Sequence, residues 1–427
     1  MKHLNIYEKL VDYNDAVPNL PVTHLAKINE EEKVLGYPDG DIIPVEYLAS
    51  DGSAWIDTGV VIKDNPRVVI NIYMTGSLDK DVFGFPSNAQ PSFIGNISAS
   101  SSKQSFQYYR YYTTSSRGSA LNSTVPFNTW AEWDMSNVVK CNGSTLATYN
   151  RESFAANNQT LRLFNGRGYI TTNVVRVGAT KIYDGDVLKR DFIPVRLGNV
   201  GYMFVWVSKK LFGNVGTGSF TFGSDIVPVE YLQSSGAEWI DTKVFGYMNH
   251  TYKLDFQQIN TQSYRIWGAF GQSSYAGYNM SLTYANSTTW MIRWESTSSN
   301  QRGVSFAPID ANRHKIKISN GEIYFDGISK GKSTGHDSLC SINYNLFLFT
   351  CNPADTTPSS NAQIKIYSYE DINEHGQLIR QMVPVRMGTT GYMLDKIEWK
   401  LYANAGARSF TYGADQSGLK IMTTKSF

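Results

Sequence analysis

The sequence is short of charge, of cysteine and of any long apolar run. Charged residues make up 18% of its 427 positions and the formal net charge is +2. No block of Lys or Arg stands out, so nothing points to nucleic acid as a partner. Its three cysteines, Cys141, Cys340 and Cys351, form no CxxC pair. That spacing excludes a zinc ribbon or a disulfide frame and leaves buried free thiols as the expectation. No apolar stretch approaches the ~18 residues needed to cross a membrane. The opening MKHLNIYEKLVDYNDAVP lacks the ~7–15-residue apolar core of a signal peptide. The expectation is a chain that stays in the cytoplasm where it is made, with no membrane insertion. Helical periodicity is missing as well.

What the chain has instead is a phrase said twice. VEYLASDGSAWIDTG at 45–59 returns as VEYLQSSGAEWIDTK at 229–243, an offset of 184. RVVINIYM (67–74) faces TYKLDFQQ (251–258), and KIY at 181–183 recurs at 365–367, both at 184. IPVRLGNVGYM (193–203) matches VPVRMGTTGYM (383–393), and KLFGNVGTGSFTFG (210–223) matches KLYANAGARSFTYG (400–413), both at 190. A shared start, middle and end mean a duplicated domain. The change of offset places an insertion at the turn after KIY, with the main backbone difference at 184–193 against 368–383. The expected division is 1–41 as a leader, 42–225 and 226–413 as the two repeats, and 414–427 as a tail. With only Ser224 and Asp225 between them, the repeats should have little freedom to swing.

Period-two alternation identifies the fold class. Val68, Ile70, Ile72 and Met74 alternate with Arg67, Val69, Asn71 and Tyr73, and Tyr252, Leu254 and Phe256 repeat the pattern. Such runs are half-buried antiparallel strands. Many short strands without crossover helices predict an all-β chain of two tandem antiparallel sandwiches.

The segments TWAEWDMSNVVKCNGSTLATY and RHKIKISNGEIYFDGISKGK resemble the middle of LamG-type, concanavalin A-like jelly rolls. The flanking phrases VEYLxSxGxxWIDT, PVRxGxxGYM and KLFGNxGxGSFTFG resemble tandem jelly-roll modules in virion proteins of tailed phages of gut bacteria, especially head and tail fibres. The resemblance covers about 42–413. It implies a jelly-roll fold, a virion location, attachment to other virion proteins through residues 1–41, and a homo-oligomer. A 41-residue leader is too short to hold its own core, so it must dock on something, as must the tail.

Chemistry is harder to find. Hydrolysis on such a fold needs two facing carboxylates. Glu132 and Asp134 share a strand face, but the second repeat has neither at NRHKIKIS. Both repeats share Glu46/Glu230 and Asp57/Asp241, and Asp57 reads as a carboxylate capping backbone N–H groups at a strand end. The histidines (His3, His24, His250, His314, His336 and His375) have no counterparts between repeats and no ligand spacing. Asp326 in YFDG, where the first repeat has Asn142, reads as a turn residue rather than a calcium ligand. Arg196 and Arg386 read as members of semi-buried ion pairs. No catalytic residue, metal or cofactor is expected.

One stretch separates the repeats. FQYYRYYTTSSRG (106–118) aligned with TWMIRWESTSSNQRG (289–303) through Arg110 and Arg293 puts Tyr108, Arg110 and Tyr112 on an outward face. Two tyrosines flanking an arginine suit a sugar ring or a protein partner. The expected function is a non-enzymatic virion component with weak, multivalent adhesion to host or mucosal glycans. The alternatives are a glycan-cleaving hydrolase of the same fold and a bacterial surface lectin.

Overall fold

The computed structural model describes residues 41–423 except 64, 76–79, 87–91, 101–102, 114–115, 118–122, 125–127, 149–157, 167–169, 171, 173, 207, 248, 261–264, 271–278, 287–288, 296–303, 309, 333–340, 354–357, 359–361 and 417–421. For 80, 92–100, 103–113, 116–117, 123–124, 270, 279, 284–286, 293–295, 307–308, 341–343 and 422–423 the backbone alone is described. The expected leader at 1–40 and Cys340 therefore lie outside the described residues.

Two compact units are present. One runs to Gly223 and takes in the strand Met422–Thr423; the other begins at Ser224. Each is a jelly-roll sandwich of a larger and a smaller sheet. Among the described residues the paired strands are antiparallel except Trp267–Phe270 with Asn352–Pro353, and Asp81 and Ile170 form an isolated parallel bridge. The described residues contain no helix. In the first unit the larger sheet runs Ser144–Thr148, Val138–Cys141, Trp130–Met135, Pro66–Met74, Val175–Asp184, Val187–Leu197. In the second it runs Ile328–Lys332, Glu322–Phe325, Arg313–Ser319, Thr251–Gln258, Ile364–Ile372, Leu378–Met387. These six strands follow the same order in both units.

The alternation read from sequence is the alternation of burial. Val68, Ile70, Ile72 and Met74 are fully buried in the first unit, against Phe83, Trp133 and Leu163. Tyr252, Leu254 and Phe256 do the same in the second, with Trp267, Trp290 and Ile292. Strands such as Pro66–Met74 and Trp130–Met135 of the larger sheet hide one face and turn the other toward solvent, because side chains alternate across a strand.

The strand register corrects the position of the insertions. The offset between equivalent residues is 184 at Phe83/Trp267, 185 at Leu163/Leu348, 189 at Val177/Ile366 and 190 at Phe192/Met382. Most of the extra chain thus enters between Phe164 and Val175, before the strand that carries the first KIY. Lys181 and Ile182 lie opposite Val69 and Val68, whereas Lys365 and Ile366 lie opposite Gln257 and Phe256. The two KIY strings occupy different places on equivalent strands, and their match at 184 is a coincidence of composition. Only one residue is gained in the hairpin, where Gly185 and Asp186 make the turn between Asp184 and Val187.

The C-terminal residues also find places. Residues 414–416 bond back to the start of the second unit, through Glu230 N–H to Ala414 O and Gln416 N–H to Pro228 O. Met422 and Thr423 pair with Ile42 and Asp41.

GNVGTGSF (213–220) in the first unit and ANAGARSF (403–410) in the second close each unit onto its opening phrase. Asn214 Oδ1 accepts the amides of Trp55 at 3.0 Å and Gly216 at 2.8 Å, and Nδ2 donates to Gly216 O and Gly218 O. Asn404 Oδ1 accepts from Trp239 at 3.0 Å and Gly406 at 2.8 Å, and its Nδ2 donates to Arg408 O. The backbones approach so closely that only glycine fits: a Cβ on Gly216 would stand 1.8 Å from Ser53 O, and one on Gly406 2.0 Å from Ala237 O. Gly216→Ala and Gly406→Ala should each destabilise its own unit by more than the ~3 kcal/mol of ordinary substitutions, while exposed Thr217→Ala should stay within ~0.5 kcal/mol. Thermal unfolding, with limited proteolysis to assign the affected half, measures both.

Candidate functional site

The residues common to both repeats are engaged in holding the fold. Asp57 Oδ1 accepts the amide of Gly59 at 2.9 Å and Oδ2 the hydroxyl of Thr160 at 2.9 Å. Asp241 accepts the amide of Lys243 at 2.9 Å. Gly59 and Lys243 both have positive φ, 64° and 58°, so these carboxylates cap a local twist of the strand, as expected. Thr58 is buried within the strand Ile56–Val61, and its hydroxyl donates to Leu161 O at 2.6 Å. Thr242 repeats this with Leu346 O at 2.7 Å. Asp134 is gripped by Arg67 through two contacts of 2.8 Å. Arg386 grips Asp415 at 2.6 and 2.5 Å, which raises the arginine's pKa and lowers that of the carboxyl. Arg196 donates to Gly198 O at 3.0 Å.

Asp326 is a turn residue with a second task. Its Oδ1 accepts the amide of Lys315 at 2.8 Å, and its Oδ2 lies 2.7 Å from His314 Nδ1. His314 Nε2 is 2.7 Å from Asp310, and the ring stacks on Phe325. Burial opposes the charge on His314, but the bonds to Asp310 and Asp326 outweigh it and its pKa is raised. The equivalent turn residue in the first unit, Asn142, bonds the backbone of Glu132 in both directions without a histidine. Among the described residues, no three His, Cys, Asp or Glu side chains are arranged to hold a metal ion. Neither Cys141 nor Cys351 forms a disulfide; the Cys351 thiol donates to Trp267 O at 3.0 Å, and burial raises the Cys141 thiol.

Tyr108, Arg110 and Tyr112 fall on the strand Lys103–Thr113. Tyr108 lies opposite Gly95, Gly95 opposite Phe83, and Phe83 opposite Leu163. In the second unit the same row is Ile292, Leu282, Trp267 and Leu348. Tyr108 is therefore the equivalent of Ile292 and Arg110 that of Trp294, so the alignment through Arg110 and Arg293 is displaced by one residue. A one-residue slip exchanges the faces of a strand. The side chains of all three lie outside the described residues.

The outer face of the larger sheet carries a cluster that the sequence reading passed over. In the first unit Arg176 lies over two rings at once, 4.7 Å from the centroid of Tyr47 and 5.0 Å from that of Tyr73. Trp130 packs beside them, 6.3 Å from Tyr47 and 5.7 Å from Tyr73, and its indole N–H donates to Glu46 Oε1 at 3.2 Å. All five side chains are half-exposed. Trp130 has room because residue 178 is glycine; a Cβ there would meet its ring at 3.3 Å.

The second unit rebuilds the cluster from different residues. Register makes Lys365 the equivalent of Arg176, Gln257 of Tyr73 and Arg313 of Trp130. Tyr367 stands where the first unit has Gly178. Arg313 lies 3.7 Å from the Tyr367 centroid, Lys365 4.2 Å from that of Tyr231, and the Tyr367 hydroxyl donates to Gln257. Arg313 also holds Asp255 at 2.7 and 2.9 Å, which raises its pKa. The cation over the shared tyrosine keeps its strand, while Arg313 takes the place of Trp130 and Tyr367 that of Gly178 to add a new ring–cation pair, each contact being worth about 0.5–1 kcal/mol near the surface. The signal was present: setting TWAEWDM against RVVINIYM with period two brings Trp130 beside Tyr73.

Neither a family model nor a curated protein matches the chain. Among solved structures, the mouse laminin alpha1 chain, domains LG4-5, aligns over 90% of this chain and 99% of that one, with 9% identity and a TM-score of 0.29. So distant a likeness has no bearing on function.

The His314 clamp has a definite pH signature. A raised pKa contributes stability that is complete below the ordinary histidine value near 6.5 and is lost as pH rises through the folded value. Wild type should exceed His314→Gln in stability by more at pH 5.5 than at pH 8.5. Paired urea titrations at the two pH values measure the difference; an equal or reversed gap contradicts the clamp.

Proposed function

We propose that the chain is a non-enzymatic virion protein of a tailed phage, a head or tail fibre or decoration component that displays two jelly rolls and adheres weakly to host or mucosal glycans. One observation carries the reading. Within the phrases common to both units, Asp57, Asn214 and Gly216 and their counterparts close and cap the fold, so the duplicated element is a scaffold. Tyr47 and Tyr231 of the shared VEYL reach the outer sheet face, where the residues around them differ between the units. The virion setting is supported by the resemblance of those phrases to phage modules. Attachment runs through residues 1–41, and a homo-oligomer multiplies weak sites into useful avidity.

In the first unit the ligand-facing surface is the cluster of Tyr47, Tyr73, Trp130 and Arg176. Half-exposed rings suit the apolar face of a sugar, and Glu46 and Arg176 supply hydrogen bonds at its edge. On these outer faces Asp134 and Asp255 are each neutralised by an arginine and serve as structural anions, while Glu46 is engaged with the Trp130 indole.

Mass spectrometry of purified particles should find the chain as a component. On a glycan array, Trp130→Ala should lower the signal about tenfold, equivalent to ~1.4 kcal/mol, with melting unchanged within a degree or two. Release of reducing ends from a bound glycan by the wild-type chain would replace this reading with the hydrolase.

A further inference from the structure

The larger sheet of the second unit carries on its outer face a groove of about 480 Å³, lined among others by Lys253, Lys315, Lys317, Tyr324, Asp255 and Glu370. The strand Arg313–Ser319 alternates strictly there. His314, Ile316 and Ile318 are buried, while Arg313, Lys315 and Lys317 are exposed. Alternate residues on a strand stand about 6.8 Å apart on one face, so three cations form a straight row. Lys253 lies directly opposite Lys317 on the neighbouring strand.

Like charges directly opposite one another are destabilising. The acids in the groove do not cancel the excess. Asp255 is held by Arg313 through two bonds, and Glu370 by Lys253 at 2.8 Å. Lys315 is three-quarters exposed and reaches no nearer than 3.9 Å to Asp255. Lys317 lies over the Tyr324 ring at 5.2 Å. The groove therefore retains a cationic surplus beside an aromatic face.

The first unit supplies an internal comparison. At the positions of Lys315, Lys317, Tyr324 and Glu370 it has Glu132, Asp134, Lys140 and Lys181. Three of the four positions reverse sign. The fold does not require lysines there.

We infer that this groove binds a polysaccharide bearing carboxylate or sulfate groups, and that the equivalent face of the first unit does not. Lysine is suited to this because its ammonium is a point charge on a flexible stem, indifferent to the geometry of the anion. Tyr324 offers a ring for a sugar to lie on, and beside it Gly327 leaves open space where a side chain would stand. The open groove suits a chain passing along it better than a small molecule enclosed by it. The inference rests on the outer sheet faces being ligand-facing; it names the ligand class of the second.

The test is calorimetric titration of the full-length chain with polygalacturonate, dextran sulfate, neutral dextran and a DNA duplex. The expected result is binding of one or both acidic polysaccharides, weakened at least tenfold by Lys315→Glu with Lys317→Asp and weakened in wild type by raising salt, since exposed charge pairs are screened. Polygalacturonate alone would assign a carboxylate site, dextran sulfate alone a sulfate site. Lys315→Gln with Lys317→Gln, which removes charge without reversing it, should show the same loss and guards against misfolding. Binding of neutral dextran equal to that of the acidic polymers, tighter binding of DNA, unchanged affinity in both variants, or no binding at all would each overturn the inference. Particle composition is a separate measurement, so the virion reading and the groove can fail independently.

Discussion

A single side-chain amide fastens each module shut. Asn214 and Asn404 join the last loop of a unit to the strand that opens it, across separations of 159 and 165 residues. Closing so long a chain is entropically costly, and the amide meets the cost with four backbone groups satisfied at one point in the first unit. Gly216 and Gly406 permit the approach, and the buried Thr58 and Thr242 tie the strand that follows Trp55 or Trp239 to its neighbour in the smaller sheet. A neighbouring carboxylate assists differently in each unit. Asp51 gathers the amides of Ser219, Ser53 and Ala54 and is lowered by them, whereas the buried Glu238 accepts from Ser235 and Ala237. The closure persists while the acid that supports it has moved.

With closure secured, the interiors have diverged. The first unit places Ile182, Val205 and Phe212 where the second has Asp371, Asp395 and Tyr402. His250 Nδ1 lies 2.8 Å from Asp371, and Arg380 lies 2.7 Å from Glu398 and 3.4 Å from Asp395. Burial pushes both aspartates' pKa values up. Such a network adds little to stability over an apolar core of the same shape, yet breaking one member leaves a buried charge unmet. The outer faces diverged by the same latitude: Arg313 and Tyr367 stand where the first unit has Trp130 and Gly178, and charge reversed along the strand that carries Lys315.

The duplication, the all-β class and the strand faces at Val68–Met74 and Tyr252–Phe256 were legible because period two and long shared phrases are local signals. The capping role of Asp57 was legible for the same reason. Registers were not. The two KIY strings and the two arginines Arg110 and Arg293 match as letters, but pairing partners on neighbouring strands place them at non-equivalent positions. The closing role of Asn214 was invisible because Trp55, the partner that makes it a closure, lies 159 residues away at the far end of the module. The pairing of His250 with Asp371 and of Arg176 with Tyr47 joins residues more than a hundred positions apart, a relation that no window along the chain contains.

Saturation mutagenesis of the whole chain read out by protease resistance addresses the central claim, that one closure scaffold is shared and the outer faces are free to vary. Intolerant positions should coincide at equivalent places in the two units, at Thr58 and Thr242, Asn214 and Asn404, and Gly216 and Gly406, while Trp130, Arg176, Lys315 and Lys317 accept most substitutions. Tolerance at the asparagine and glycine pairs, or outer-face positions as intolerant as these, would contradict it.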